Sequence, residues 1–131
     1  MAAPSVDMLR EVPLFQGLDN KELQSIASSM RERTFKAGET VVEEGSSGAG
    51  FFVVENGEAE VTVGGQSRRT IGAGDHFGEI ALLTGSDRTA TIVATSDLHC
   101  YGLTPWDFKP LVESNPEIAW KLLQSMAERL A

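Results

Sequence analysis

The apolar positions of this chain change period twice. Leu23, Ile26, Ala27 and Met30 recur at helical spacing, and Asp19 with Glu22 has the spacing of a capping box just before them. The pattern predicts a helix over about Asn20 to Met30. From Glu32 onward the runs shorten. Apolar and β-branched stretches at Thr40–Val42, Phe51–Val54, Ala59–Val63, Thr89–Ala94 and Leu98–Leu103, parted by glycine-bearing turn signals, predict the short strands of a sandwich or barrel. Ala59, Val61 and Val63 alternate with Glu58, Glu60 and Thr62, which sets a core face against a wet one. Asn56-Gly57 between two such runs predicts a tight hairpin.

Helical spacing then returns. Thr104-Pro105 and Asn115-Pro116 each set a turn-forming residue before a first-turn proline, and so open two closing helices. In the second, Ala119, Leu123, Met126 and Leu130 form a narrow apolar stripe flanked by Ile118, Leu122 and Ala127. Such a stripe suits packing on the chain's own barrel, and it also suits a partner subunit. The chain divides into an N-terminal helical segment (about 5–31), a β region (about 32–104) and closing helices (about 105–131), and 131 residues make one domain.

Composition narrows the classes. A hydrophobic fraction of 41% with regular apolar spacing suits a soluble globular protein. No apolar stretch approaches the roughly 20 residues of a membrane-spanning helix, and the opening MAAPSVDMLR has no signal-peptide layout, so a cytoplasmic protein with no membrane partner is expected. The single cysteine, Cys100, reads as a small strand residue. A formal net charge of -8 argues against a nucleic-acid surface, which needs clustered Lys and Arg. Any anion must therefore be held by a local arrangement of donors. His76 and His99 fall on different predicted strands and form no metal set, and no Ser-His-Asp or Cys-His grouping can be placed. The expectation is a binding module without catalytic residues, metal or cofactor. The Gly45-Ser46-Ser47-Gly48-Ala49-Gly50 run lacks the Lys-Ser/Thr ending of a phosphate loop and reads as a turn.

Unusual residues converge in one segment, Phe77 to Ala94, which reads FGEIALLTGSDRTATIVA. Gly78 opens the backbone to a ligand, and Ile80 to Leu83 fit one short helical turn whose first N–H groups favour an anion. Arg88 follows Glu79 by nine residues, just before the β-branched run. A guanidinium can pair bidentately with a phosphate, whereas a carboxylate accepts, as from a sugar hydroxyl. Either residue alone would equally suit a surface ion pair. Together they fit a ligand with a phosphate next to a ribose.

This segment resembles the phosphate-binding cassette of the cyclic-nucleotide-binding domain family, which includes catabolite activator proteins, cyclic-nucleotide-dependent kinases and nucleotide-gated channels. The resemblance runs from Pro13-Leu14-Phe15 through Phe35-Lys36-Ala37-Gly38-Glu39 and the cassette (77–90) to the closing helices. It implies a mainly β fold with flanking helices, a double-stranded β-helix or jelly-roll barrel. It also implies that Glu79 accepts from the ribose 2′-hydroxyl and that Arg88 pairs with the exocyclic phosphate oxygens. Gly78 and the backbone N–H groups of Ile80, Ala81, Thr89 and Ala90 would complete the cradle, and Val61 would line the base pocket. The implied ligand is cAMP, with cGMP the alternative, and occupancy would be relayed through the closing helices, to a homodimer partner or a downstream effector. A domain of this shape that has lost the nucleotide and serves protein interaction is the other reading.

Three departures qualify the transfer. Asp87 stands where many members carry proline, and a carboxylate turned toward the phosphate would weaken binding. Thr89 occupies the position where a hydroxyl meets the amino group of guanine in cGMP-selective members. The closing helix, which in the family caps the purine, reaches only Ala131, near its expected midpoint, so an uncapped base is expected.

Overall fold

The computed structural model describes residues 3–46 and 50–131. An N-terminal helical group comes first: α1 (Val6–Arg10), a 3₁₀ turn (Pro13–Phe15) and α2 (Asn20–Ser29). The capping box holds α2 at its start, with the Asp19 N–H donating to Glu22 Oε1 (2.9 Å) and the Glu22 N–H donating to Asp19 Oδ1 (2.8 Å). Eight strands follow: β1 (Arg31–Phe35), β2 (Thr40–Val42), β3 (Phe51–Asn56), β4 (Ala59–Val63), β5 (Gln66–Ile71), β6 (His76–Phe77), β7 (Thr91–Ala94) and β8 (Leu98–Leu103). A short helix, α3 (Glu79–Thr84), interrupts them between β6 and β7, and α4 (Pro105–Ser114) and α5 (Pro116–Leu130) close the chain.

The strands form two four-stranded antiparallel sheets, in orders β1-β8-β3-β6 and β2-β7-β4-β5. Within the first sheet β3 is buried on both faces from Phe51 to Val54, which explains the unbroken run Phe51-Phe52-Val53-Val54. Phe51 and Val53 join Tyr101 and Leu103 against the helices, in one cluster with Phe15, Leu23, Phe108, Ile118 and Leu122. Phe52 and Val54 turn the other way, with Leu98 and Cys100, onto Ala59, Val61, Ile71 and Ile92 of the second sheet. Strand periodicity sorts adjacent residues into two different cores.

Several sequence expectations are corrected by this topology. Asn56-Gly57 makes no hairpin, because β3 and β4 lie in different sheets and the chain there crosses from one to the other. The two-residue hairpin is Gly64-Gly65, joining β4 to β5 with φ of 59° and 81°. That turn needs positive φ at both positions, which glycine adopts without strain. The run at Thr89 becomes a strand only from Thr91. In α5 the buried residues are Ile118, Leu122 and Ser125, whereas Leu123 and Leu130 of the expected stripe are exposed. Ser125 is drawn inward because its hydroxyl donates to the Pro13 carbonyl at 2.8 Å, and Lys121 Nζ pairs with Glu22 Oε1 at 2.7 Å beside it. Both contacts tie α5 to the N-terminal group. Of the Gly45–Gly50 turn, residues 47–49 lie outside the described residues.

Candidate functional site

The cassette is built on two glycines. Gly78 caps the start of α3 in the left-handed conformation (φ 93°), and Gly85 ends it likewise (φ 70°). At Gly78 no other residue fits, since a Cβ would stand 2.3 Å from the Gly50 carbonyl oxygen and 2.8 Å from Arg88 Nη1. Intrahelical bonding begins with the Leu82 N–H donating to the Gly78 carbonyl at 2.9 Å, so the first-turn amides of α3 have no partner within the helix.

Arg88 is the centre of the site. Its backbone is clamped to the turn after β2, with its N–H donating to the Ser46 carbonyl (2.9 Å) and its carbonyl accepting from the Gly45 N–H (2.8 Å). The side chain is 8% exposed. Nη2 donates to the Gly50 carbonyl at 2.7 Å, while the buried Nε–H has no hydrogen-bond partner among the described residues. No described carboxylate pairs with this guanidinium either. Burial pushes its pKa down from the ordinary arginine value, because the charged form loses water. A buried charge without a counter-ion is unfavourable unless something anionic completes it.

The space beside Arg88 is a cavity of about 280 Å³, close to the lower end of the roughly 300–1,000 Å³ usual for small-molecule sites. Its floor is the second sheet, through Val42, Val61, Arg69 and Ile92, and its wall is the cassette, through Phe77, Gly78, Ala81 and the segment 86–90. Buried apolar side chains of Val61, Ala81 and Ile92 face polar groups that are exposed at the mouth, namely Arg69, Ser86, Asp87 and Thr89. The amides of Thr89 and Ala90 make no hydrogen bond to described residues. On its far side Arg88 borders a wider groove of about 480 Å³ that reaches Arg33, Phe52 and Trp106. That second groove has neither the glycine gap nor the cassette amides.

The arrangement is one guanidinium, a set of unengaged amides and an apolar floor, which together suit a small anion attached to a flat, partly apolar body. Residues 32–115 match the model of the cyclic nucleotide-binding domain. The chain belongs to that family. Over 108 residues, 81% of the chain, the domain is 39% identical to a cAMP-dependent protein kinase regulatory subunit of Colletotrichum orbiculare, of whose length it spans 28%. Among solved structures it resembles the N-terminal domain of a transcriptional regulator from Streptomyces coelicolor A3(2), with 31% identity and a TM-score of 0.90 over 95% of this chain and 92% of that one. It also resembles the Thermus thermophilus catabolite activator protein, with 31% identity and a TM-score of 0.75 over 91% of this chain and 58% of that one.

In the cyclic nucleotide-binding domain Gly78, Ala81, Arg88, Thr89, Ala90 and Val61 line one cavity. Glu79 and Ile80 open α3, but their side chains lie outside what the structure describes. Asp87 is exposed where it lines the mouth. His76 and His99 sit on β6 and β8, and no group of three metal-ligating side chains occurs among the described residues. No described helix is long and apolar enough to cross a membrane. Two features of the cavity surroundings escaped the sequence reading. The Gly50 carbonyl, 38 residues from Arg88, gives no local signal. Arg69 was hidden in the polar run Gln66–Thr70, although Ile71 at its end marks the alternation of a strand.

Proposed function

We propose that this domain binds a purine 3′,5′-cyclic monophosphate in the cavity beside Arg88. The observation that carries the reading is the buried Arg88 guanidinium, unpaired with any described carboxylate and pressed against a glycine that admits no side chain. In this reading Arg88 pairs with the exocyclic phosphate oxygens, and the amides of Ile80, Ala81, Thr89 and Ala90 complete the cradle. Glu79 accepts from the ribose 2′-hydroxyl, and the base lies over Val61. The kinase regulatory subunit among the relatives supports cAMP as the first ligand to test, with cGMP the alternative. The two sheets act as a jelly-roll scaffold, and the domain has a regulatory role in the cytoplasm without catalysis of its own.

Relay through the closing helices has a physical route. Leu82 of α3 is buried in the same cluster as Phe108 of α4 and Ile118 and Leu122 of α5. A ligand that shifts α3 therefore disturbs the seat of both helices, and it biases them to the extent that it binds one packing better. The output side is exposed: Trp120 (58%), Leu123 (58%) and Leu130 (86%) share one face of α5 at spacings of three and seven, which suits pairing with a second copy.

Isothermal titration of the chain with cAMP, and with cGMP in parallel, tests the reading. Saturable one-to-one binding of either is expected. Absence of binding and of thermal stabilisation up to millimolar ligand would favour an interaction domain that has lost the nucleotide.

A further inference from the structure

The guanidinium of Arg88, which the cyclic-nucleotide reading makes the phosphate ligand and on which this inference rests, is anchored through Nη2 to the Gly50 carbonyl. The ring of Phe52 bears on Gly50 in turn. A Cβ placed on Gly50 would stand 3.1 Å from Phe52 Cε2 and 3.3 Å from Cζ, so no free space separates the ring from that turn of the chain. The opposite edge of the same ring lies over Gly102, the residue paired with Phe52 across the β3–β8 ladder. There a Cβ would stand 2.9 Å from Phe52 Cε1 and 3.2 Å from Cδ1, closer than carbon atoms pack without repulsion.

Gly102 has no backbone reason to be glycine. Its φ is not positive, so the strand itself would accept a side chain, and what excludes one is the Phe52 ring. Stacking confines the ring from other directions. Phe77, its partner on β6, stacks on it with centroids 5.2 Å apart, and the Arg33 guanidinium lies 5.9 Å from its centroid. A buried ring held in this way cannot shift at one edge without pressing at the other, because packed interiors are nearly incompressible and transmit strain.

We infer that Phe52 is a positioning residue for Arg88, and that Gly102 is the gap that lets the ring take its place. Neither residue lines the cavity beside Arg88, so neither acts by touching a ligand there. Their effect passes through Gly50. With Nη2 fixed by that carbonyl, Nη1 is held beside Gly78, and a guanidinium already anchored loses less freedom when an anion binds. A methyl group at 102 drives the ring toward Gly50 and moves the acceptor on which Arg88 is anchored.

Gly102→Ala tests this with two readouts. In the ligand-free chain the ¹H–¹⁵N resonance of Arg88 Nε should shift. Calorimetric titration with cAMP, and with cGMP in parallel, should show affinity lowered about tenfold, the worth of about one hydrogen bond. Phe52→Leu added to Gly102→Ala makes room for the methyl group, and should return the resonance toward its wild-type place and recover most of the affinity. Phe52→Leu alone withdraws a contact without pushing, and should shift the same resonance by less. A purely structural role would lower the melting temperature of Gly102→Ala but leave the Arg88 resonance in place, and that result would overturn the inference. So would a loss of affinity that the double variant does not recover. If Gly102→Ala does not fold, an unmoved Arg88 resonance in Phe52→Leu would overturn it equally. Failure of the wild-type chain to bind either nucleotide would overturn the reading of the site, and the resonance comparison, made without ligand, would still decide the inference.

Discussion

The two sheets of this domain share a core, yet they are finished differently. The first is covered on both faces along β3, by helices on one side and the second sheet on the other, and every residue from Phe51 to Val54 is buried. The second sheet is covered only in part. Beyond Val61 and Ile92 its inner face opens into the cavity, where Arg69 and Arg88 take places that packing would give to apolar side chains. If the cavity binds a cyclic nucleotide as proposed, the difference assigns stability to one sheet and ligand chemistry to the other. A sheet that is packed to completion can hold a fold together but has no room to bind; one left unfinished can bind but contributes less to the core.

Substitutions should separate the two roles. The largest effect on stability should come from Phe51→Ala, which removes a fully buried ring that packs edge-on against Phe15 at 5.7 Å; thermal or denaturant unfolding should show a loss of about 3–5 kcal/mol. Arg88→Ala should behave in the opposite way. Calorimetry should find about 2–5 kcal/mol of ligand affinity gone, while the melting temperature of the free protein holds or rises, since a buried charge unpaired with any described carboxylate has been removed. A drop in that temperature comparable to the Phe51 variant would erase the proposed division between the sheets. Ser125→Ala lies between them, on the seam that ties α5 to the Pro13 carbonyl, and should cost about 1 kcal/mol in the same unfolding assay.

A further expected effect is a loss of stability in alkali, to which two buried groups of the first sheet contribute. Burial pushes the Cys100 thiol up to about 11 from its usual 9.0. Burial, and then the hydrogen bond to Glu55, push the Tyr101 phenol up to about 12 from its usual 10.0. Both groups hold their protons more tightly when folded, so the stability they contribute is complete below the unfolded values and lost as pH rises through the folded ones. The melting temperature should therefore fall between about pH 9 and 12, and Tyr101→Phe should flatten the upper part of that fall. An unchanged slope in Tyr101→Phe would remove the phenol from the account.

How legible these regions were in the sequence follows the same contrast. The capping box of α2 and the apolar strands were readable because each signal is local and each residue's surroundings match its polarity. β1 and β5 were not, because Arg31–Thr34 and Gln66–Thr70 are exposed and their strand character comes from pairing with β8 and β4. The tight hairpin read from Asn56-Gly57 does not form, because local turn chemistry cannot say which strand becomes the partner. The face of α5 was misassigned because a serine is buried and leucines are exposed, a choice made by the Pro13 carbonyl at the other end of the chain. In the cassette, Gly78 and Arg88 stood out by their spacing, and their roles came from the family resemblance. Arg69 needed the register of β5, which only the folded sheet supplies.

The central claim is that the buried Arg88 guanidinium, whose Nε–H has no partner among the described residues, binds a cyclic phosphate. The most direct test is the ¹H–¹⁵N resonance of Arg88 Nε, assigned through the Arg88→Lys variant and followed while cAMP or cGMP is added. A saturable shift of that one resonance, with the same midpoint as the calorimetric titration, is the predicted result. Saturation of binding while the Arg88 Nε resonance stays in place would contradict it.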